Sequence, residues 1–256
     1  MITAAERQKM SPSTGHSCAC GAAHEAGAVC LGWSRRGLLR SGLAAAAGLS
    51  AGLGATLALP AAAWAQNNMS PDEALKQMMD GNKRFTQQQL TSLNDDLKLL
   101  KEKTAEGQAP FAALLSCADS RVPVELVFDQ SIGKLFVCRV AGNIATADLI
   151  ASLEYGAAVL GTKAIMVLGH GNCGAVKATI DAKAVPGQIS TLYRSIRPAV
   201  EQAGPNLEAA IKANAKIQAG LLRTSSPVLA EMIGKGQLKI VAAYYDVASG
   251  AVTMVE

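Results

Sequence analysis

Two short motifs in this sequence contain side chains that bind metal ions. The first reads Cys117-Ala-Asp119-Ser-Arg121, and the second has His170 three residues before Cys173. Two thiolates and one imidazole form a ligand set with which zinc keeps its fourth coordination position for water. Sulfur and imidazole also favour zinc over magnesium or calcium. The two motifs therefore predict a catalytic zinc site at Cys117, His170 and Cys173.

The carboxylate of Asp119 and the guanidinium of Arg121 are suited to assist this zinc. Two thiolates neutralise the charge of the metal, so bound water needs help from neighbouring groups to lose its proton. We predict that Asp119 accepts the proton of the bound hydroxide and that Arg121 pairs with Asp119 and keeps it ionised. Both are predicted catalytic residues. Asp119 would become a metal ligand only in a closed form of the site, in which Arg121 no longer holds it.

The first 65 residues have the pattern of a bacterial export signal. Arg35-Arg36 precede an uncharged run of 17 residues, 43–59, and a small-residue stretch that ends at Ala65. This order is typical of a signal peptide of the twin-arginine type. A retained membrane anchor is the alternative, although the run is short for a span of about 20 residues. We predict recognition by the twin-arginine export machinery, cleavage near Ala65 and a periplasmic location.

Removal of residues 1–65 leaves three cysteines, and His170 as the remaining histidine. An odd number of cysteines in an exported protein cannot form a pure disulfide framework. Cys138 lies inside an apolar strand pattern and is predicted to be a core residue. A structural zinc site would need a fourth cysteine or histidine, so the count favours an open or carboxylate-capped site.

Composition indicates a folded protein without a nucleic-acid surface. Of the 256 residues, 50% are hydrophobic and 17% are charged, which excludes a disordered chain. Residues 1–65 hold five basic and two acidic residues, so the remainder carries 19 basic against 18 acidic ones. This near-neutral balance gives no electrostatic footprint for nucleic acid or for an anionic membrane.

Short apolar runs alternate with helical patterns after residue 106. Runs of this kind are typical of parallel strands buried on both faces, and they lie at 111–117, 135–140, 164–169 and 238–244. The alternation predicts an α/β fold with a mainly parallel central sheet flanked by helices. A helix begins after Ser70, and residues 66–105 are predicted to form an N-terminal helical arm on other parts of the protein or on a second subunit. Residues 106–256 are the predicted zinc-binding catalytic domain.

The sheet explains how the two motifs could meet. Ligands bind outside the carboxyl ends of parallel strands, and both motifs directly follow a predicted strand. Neighbouring strands lie about 4.8 Å apart. We therefore expect Cys117, His170 and Cys173 to come together at one edge of the sheet.

The two motifs resemble those of the β-class carbonic anhydrases. Cys-x-Asp-x-Arg at 117–121 and Gly-His-x-x-Cys-Gly at 169–174 occur in the family's order, and the similarity extends over about 70–256. The resemblance implies a zinc lyase with one Zn²⁺ per subunit, in which zinc-bound hydroxide attacks CO2 and gives bicarbonate and a proton. It also implies that Gln108 binds the substrate, that Phe136 and Tyr155 line the CO2 pocket, and that a homodimer or larger homo-oligomer forms this pocket.

Three alternatives share these residues. The same zinc scaffold could hydrolyse carbon disulfide or carbonyl sulfide. Cys117 could act as a nucleophile with His170 as its base, which leaves Cys173 without a role. A zinc-stabilised binding module, with Asp119 as the fourth ligand, would have no hydratase activity.

Overall fold

A mainly parallel sheet organises the molecule. The structure is a computed structural model that describes residues 67–94 and 97–255. In these residues one sheet contains β1 (Ala112–Ser116), β2 (Leu135–Arg139), β3 (Ala164–His170), β4 (Lys239–Tyr245) and β5 (Val252–Met254). Its order is β2-β1-β3-β4-β5, with β5 antiparallel to β4 and the other neighbours parallel. The predicted α/β fold and the four predicted parallel strands are confirmed.

Helices connect the strands and cover both faces of the sheet. In chain order they are α1 (Pro71–Thr86), α2 (Leu97–Thr104), α3 (Val124–Val127), α4 (Ala147–Glu154), α5 (Gly174–Asp181), α6 (Ser190–Ala203), α7 (Leu207–Ser225) and α8 (Pro227–Gly234). A π-helical turn, Tyr155–Val159, continues α4, so the helical period changes after Glu154. The second half of the predicted helical arm contains a 3-10 turn, Ser92–Asn94, and α2.

The core lies on both faces of the sheet because successive side chains of a strand point to opposite sides. Leu114 and Met166 belong to the apolar cluster that includes α1 and α3. Leu115 and Ile165 belong to the second cluster, which includes residues of α4, α7 and α8. Every residue of β1 and β3 is buried, which explains why these strands are continuous apolar runs in the sequence.

Helix α1 packs on the sheet of its own chain. Ser70 and Glu73 form a capping box at its start, as the sequence indicates. Met78 is fully buried in the same cluster as Leu114. Gly81 lies so close to α3 that a Cβ atom there would be 1.8 Å from the carbonyl oxygen of Phe128. The surface that supports this part of the predicted arm is therefore the sheet of the same chain.

The predicted export signal, residues 1–65, lies outside the described residues. Within the part of the chain that the structure covers, no helix has both the length and the apolar character needed to cross a membrane.

Candidate metal centre

The two motifs meet at the carboxyl edge of the sheet. Cys117 directly follows β1, His170 is the last residue of β3, and Cys173 is the N-cap residue of α5. The sulfur atoms of both cysteines and one ring nitrogen of His170 lie within 4.8 Å of one another, and all three residues are buried. The expected meeting of the motifs is confirmed.

The histidine presents a free ring nitrogen to the thiols. Nδ1 of His170 lies 3.0 Å from the carbonyl oxygen of Gly171, and because a carbonyl oxygen only accepts, Nδ1 carries the proton. Nε2 is then an acceptor, and it is buried without a hydrogen-bond partner. A buried nitrogen without a partner is costly in a folded protein, whereas a metal ion would satisfy it. The donor set of this site therefore fits zinc.

Hydrogen bonds stabilise one of the two thiols as a thiolate. The neighbouring Cys173 thiol lowers the pKa of Cys117 against the effect of burial, and the Gly142 N–H, which donates to its sulfur, acts in the same direction as that thiol. The neighbouring Cys117 thiolate and burial raise the pKa of Cys173, so the proton of the pair stays on Cys173. A metal ion that takes both sulfurs must therefore displace one proton.

Arg121 holds Asp119 and joins the two motifs. Its Nε and Nη2 donate to the two carboxylate oxygens of Asp119 at 2.9 and 2.8 Å, and its backbone N–H donates to Oδ1 at 3.0 Å. These bonds from Arg121 outweigh burial and hold the pKa of Asp119 well below its usual range. Nη2 also donates to the carbonyl oxygen of Asn172, which links the loop of Cys117 to that of Cys173. Asp119 Oδ2 lies 3.9 Å from Nε2 of His170.

Four further residues support Cys117, and neither of the two metal-binding motifs contains them. Arg139 donates to the carbonyl oxygens of Cys117 and Asp119 at 2.9 and 2.6 Å. The Gly142 N–H donates to the Cys117 sulfur at 3.3 Å, and Gly142 is in turn bonded to a buried amide pair on α7, Asn214 and Gln218. The sequence does contain one sign of the pair: Asn214 and Gln218 are one helical turn apart in a segment that is otherwise rich in alanine and isoleucine.

The three predicted substrate residues do not lie at this metal centre within one chain. Gln108 is exposed and lies before β1, whereas Cys117 lies directly after β1. The five residues of β1 place the two ends of this strand roughly 16 Å apart. Phe136 is the second residue of β2, paired with Ala113 near the start of β1. Tyr155 is 49% exposed, and its ring centroid lies 6.4 Å from that of Phe136. Phe136 and Tyr155 therefore lie together toward the amino ends of the parallel strands, away from the metal centre.

Comparison with known proteins agrees with this geometry. The family model described as carbonic anhydrase matches residues 112–252. A carbonic anhydrase of Mycolicibacterium smegmatis is 32% identical over 198 residues, which cover 73% of this chain and 94% of that protein. One from Pseudomonas aeruginosa is 34% identical over 194 residues, covering 70% of this chain and 86% of the relative.

The fold is also that of solved β-carbonic anhydrases. The crystal structures of two tetrameric β-carbonic anhydrases from Sordaria macrospora include a chain that superposes with a TM-score of 0.58 at 23% identity. That match covers 62% of this chain and 87% of the fungal chain. Together with the matching metal-ligand motifs, these similarities show that the chain belongs to the β-class carbonic anhydrase family, whose enzymes catalyse the zinc-dependent, reversible hydration of CO2.

Proposed function

We propose that Cys117, His170 and Cys173 hold one zinc ion per subunit and that this site catalyses the reversible hydration of CO2. The observation that carries the proposal is the convergence of two thiols and an unpartnered, buried Nε2 atom within 4.8 Å. When bound, zinc supplies a strong nucleophile at neutral pH by lowering the pKa of water. Ile144, Val176 and other apolar residues pack around the cysteines and limit solvent access to the ligands.

Asp119 orients the nucleophile in this proposal. Its carboxylate is ionised over the working pH range because Arg121 binds both of its oxygens. An ionised carboxylate is acceptor-only, so Asp119 would accept a hydrogen bond from the attacking group and orient its lone pair toward CO2. The paired state of Asp119 with Arg121 supports an open site, in which Asp119 is no metal ligand.

Metal removal tests the reaction. A chelator should abolish CO2 hydration, and stoichiometric zinc should restore it. Full activity of the metal-free protein would instead favour Cys117 as a nucleophile with His170 as its base. A zinc-loaded protein without hydratase activity would favour a binding module.

We propose further that a second subunit supplies Gln108, Phe136 and Tyr155 to this pocket. Two observations support it: these residues lie at the opposite edge of the sheet from Cys117, and Gln108 and Tyr155 are solvent-exposed in the single chain. The family's known oligomers, such as the tetrameric enzymes of Sordaria macrospora, are consistent with a homodimer or a larger assembly.

Mixed oligomers test the sharing of the pocket. Gln108→Ala removes one substrate hydrogen bond and should lower kcat/KM about tenfold, while Cys173→Ser should be inactive. Co-expression of the two variants should yield hybrid oligomers in which an intact zinc site meets an intact Gln108, with activity above that of either variant. No rescue in isolated hybrids would show that Gln108 does not act across subunits.

We also propose export through the twin-arginine pathway, which carries folded proteins and so suits a chain that binds zinc before transport. The support is the sequence pattern from Arg35-Arg36 to Ala65. The mature chain should begin near Gln66 in a periplasmic fraction, and replacement of both arginines by lysine should retain the precursor in the cytoplasm. Unchanged fractionation of that variant would contradict the proposal.

A further inference from the structure

A buried pair of amide side chains on α7 holds the loop that follows β2. Asn214 and Gln218 are one helical turn apart, and both are fully buried. Asn214 Nδ2 donates to the carbonyl oxygen of Gly142 at 2.8 Å, and its Oδ1 accepts from Gln218 Nε2 at 3.1 Å. Gln218 also accepts from the Ala145 N–H at 2.9 Å and donates to the carbonyl oxygen of Ser195 at 3.1 Å.

The surroundings of the pair are apolar. The same helix buries Ile211, Ala215, Ala219 and Leu222. Burying an amide costs free energy unless its hydrogen bonds are made. Two of these bonds go to the loop after β2, at Gly142 and Ala145, and one goes to Ser195 on α6. The pair therefore fixes the position of that loop.

The held loop reaches the metal centre through Gly142. Its N–H donates to the Cys117 sulfur at 3.3 Å, and its carbonyl oxygen accepts from Asn214. Gly142 has φ +77°, and a Cβ atom there would lie 2.6 Å from Cδ1 of Ile196, so glycine is required. Glycine alone does not fix its own conformation, but Asn214 holds the Gly142 carbonyl and Gln218 holds the Ala145 N–H, so the loop is kept where the Gly142 N–H reaches the sulfur.

We propose that Asn214 and Gln218 are positioning residues for the metal ligand Cys117 and that they act by aiming the Gly142 N–H at its sulfur. This inference rests on the proposed zinc site. An N–H bond to a thiolate withdraws charge from the sulfur, so the thiolate donates less charge to the metal and the metal polarises its water more strongly. A site with two thiolates gains most from such a donor, because the sulfurs otherwise neutralise the ion.

The test is zinc affinity and the cobalt spectrum of the full chain. Asn214→Leu keeps the side-chain size and removes the amide. We expect its zinc affinity, from chelator competition, to fall about 10- to 100-fold, because the loop that positions Cys117 loses its anchor and this loss outweighs the stronger charge donation by the sulfur. In the cobalt-substituted protein, the sulfur-to-cobalt charge-transfer band should move to longer wavelength because the sulfur loses its hydrogen bond. Neither readout depends on CO2 hydration.

Gln218→Met provides a second, milder variant. It leaves the Asn214–Gly142 bond in place and removes the bonds that Gln218 makes to Asn214 and Ala145. The fall in zinc affinity and the shift of the cobalt band should therefore have the same direction as in Asn214→Leu and be smaller. If Asn214→Leu does not fold, this variant decides the question.

Asn82→Leu is the matched control. Asn82 is also a buried asparagine, and it bonds to the backbone of Val127, Gly250 and Val252. Its replacement should lower Tm without changing zinc affinity or the cobalt band. If the α7 variants lower Tm in the same way and leave both readouts unchanged, the positioning role is wrong. If the wild-type chain binds no zinc, the proposed function itself fails.

Discussion

At the scale of residues, the candidate metal ligands could be predicted from the sequence, whereas the hydrogen bond that supports the Cys117 sulfur could not. Two thiols and an imidazole are a combination typical of a zinc site. The residues that carry them lie at or just beyond the ends of buried strands: Cys117, His170 and Cys173. The donor of the Cys117 sulfur is a backbone N–H, that of Gly142. Backbone groups carry no signature in residue type, so this contact required the folded chain.

Loss of a ligand should remove the metal. Cys173→Ser should bind no stoichiometric zinc and should lack CO2 hydration, because a serine hydroxyl is a poor zinc ligand beside one thiolate and one imidazole. Cys138→Ala is the control, since Cys138 is buried in β2 and is outside the ligand group. Elemental analysis of each purified protein makes the comparison. Zinc retained at one per chain in both Cys117→Ser and Cys173→Ser would refute the ligand assignment.

Asp119→Asn should separate metal binding from turnover. The variant keeps all three ligands, so its zinc content should be unchanged. Its kcat should fall about 100-fold because the amide is a weaker acceptor and can turn an N–H toward the nucleophile. Stopped-flow CO2 hydration and zinc analysis of the same sample measure both effects. Wild-type turnover would exclude Asp119 from catalysis.

At the scale of elements, strands buried on both faces were predicted well and short or irregular helices less well. Helix α3 has four residues, too few to produce a helical period in the sequence. The π-helical turn Tyr155–Val159 is held by packing against neighbours, including α8, and propensity does not encode it. The close approach of α1 to α3 depends on Gly81, although by helix propensity alone a glycine only weakens the middle of a helix.

Two helix glycines should respond to alanine in opposite ways. Gly81→Ala should destabilise the protein by about 2 kcal/mol, because the clash with the Phe128 carbonyl outweighs the gain in helix propensity. Gly220→Ala on α7 should stabilise by up to about 1 kcal/mol, since no atom lies within 4 Å of its Cβ position. Urea unfolding measures both. Equal effects of the same sign would show that α1 does not pack as described.

Asp129 should make stability depend on pH. Its side chain is fully buried and accepts bonds from Arg84, Thr91 and Ser92, joining α1 and the 91–92 segment to the end of α3. Burial raises the pKa of Asp129, but the bonds from Ser92, Arg84 and Thr91 outweigh it and leave the pKa below its usual value. A folded-state pKa below the unfolded value means that the carboxylate stabilises the fold above about pH 4 and loses this effect as pH falls further.

Asp129→Asn is compatible with the positive φ of 47°; it removes the charge and replaces one acceptor oxygen with an amide donor. It should lower the free energy of unfolding by about 2 kcal/mol at neutral pH. Urea unfolding of both proteins across pH should show this gap narrowing below about pH 4. A gap independent of pH would contradict a stabilising carboxylate.

At the scale of the whole molecule, the candidate metal ligands and the three predicted substrate residues lie at opposite ends of the parallel strands. The metal ligands lie at the carboxyl edge, and Gln108, Phe136 and Tyr155 lie at the other. In the homodimer that we propose, the two sets would belong to different copies of the chain. The family resemblance implied a shared pocket, and the separation of the two sets along β1 gives a physical reason for it.

The most direct test of the central claim is stopped-flow CO2 hydration, with zinc measured on the same full-length sample. The zinc site described here predicts one zinc per chain, activity that rises and falls with zinc content, and loss of both in Cys173→Ser. Well-folded protein that hydrates CO2 without stoichiometric metal, or that holds zinc at full occupancy in the absence of Cys117 and Cys173, would contradict it.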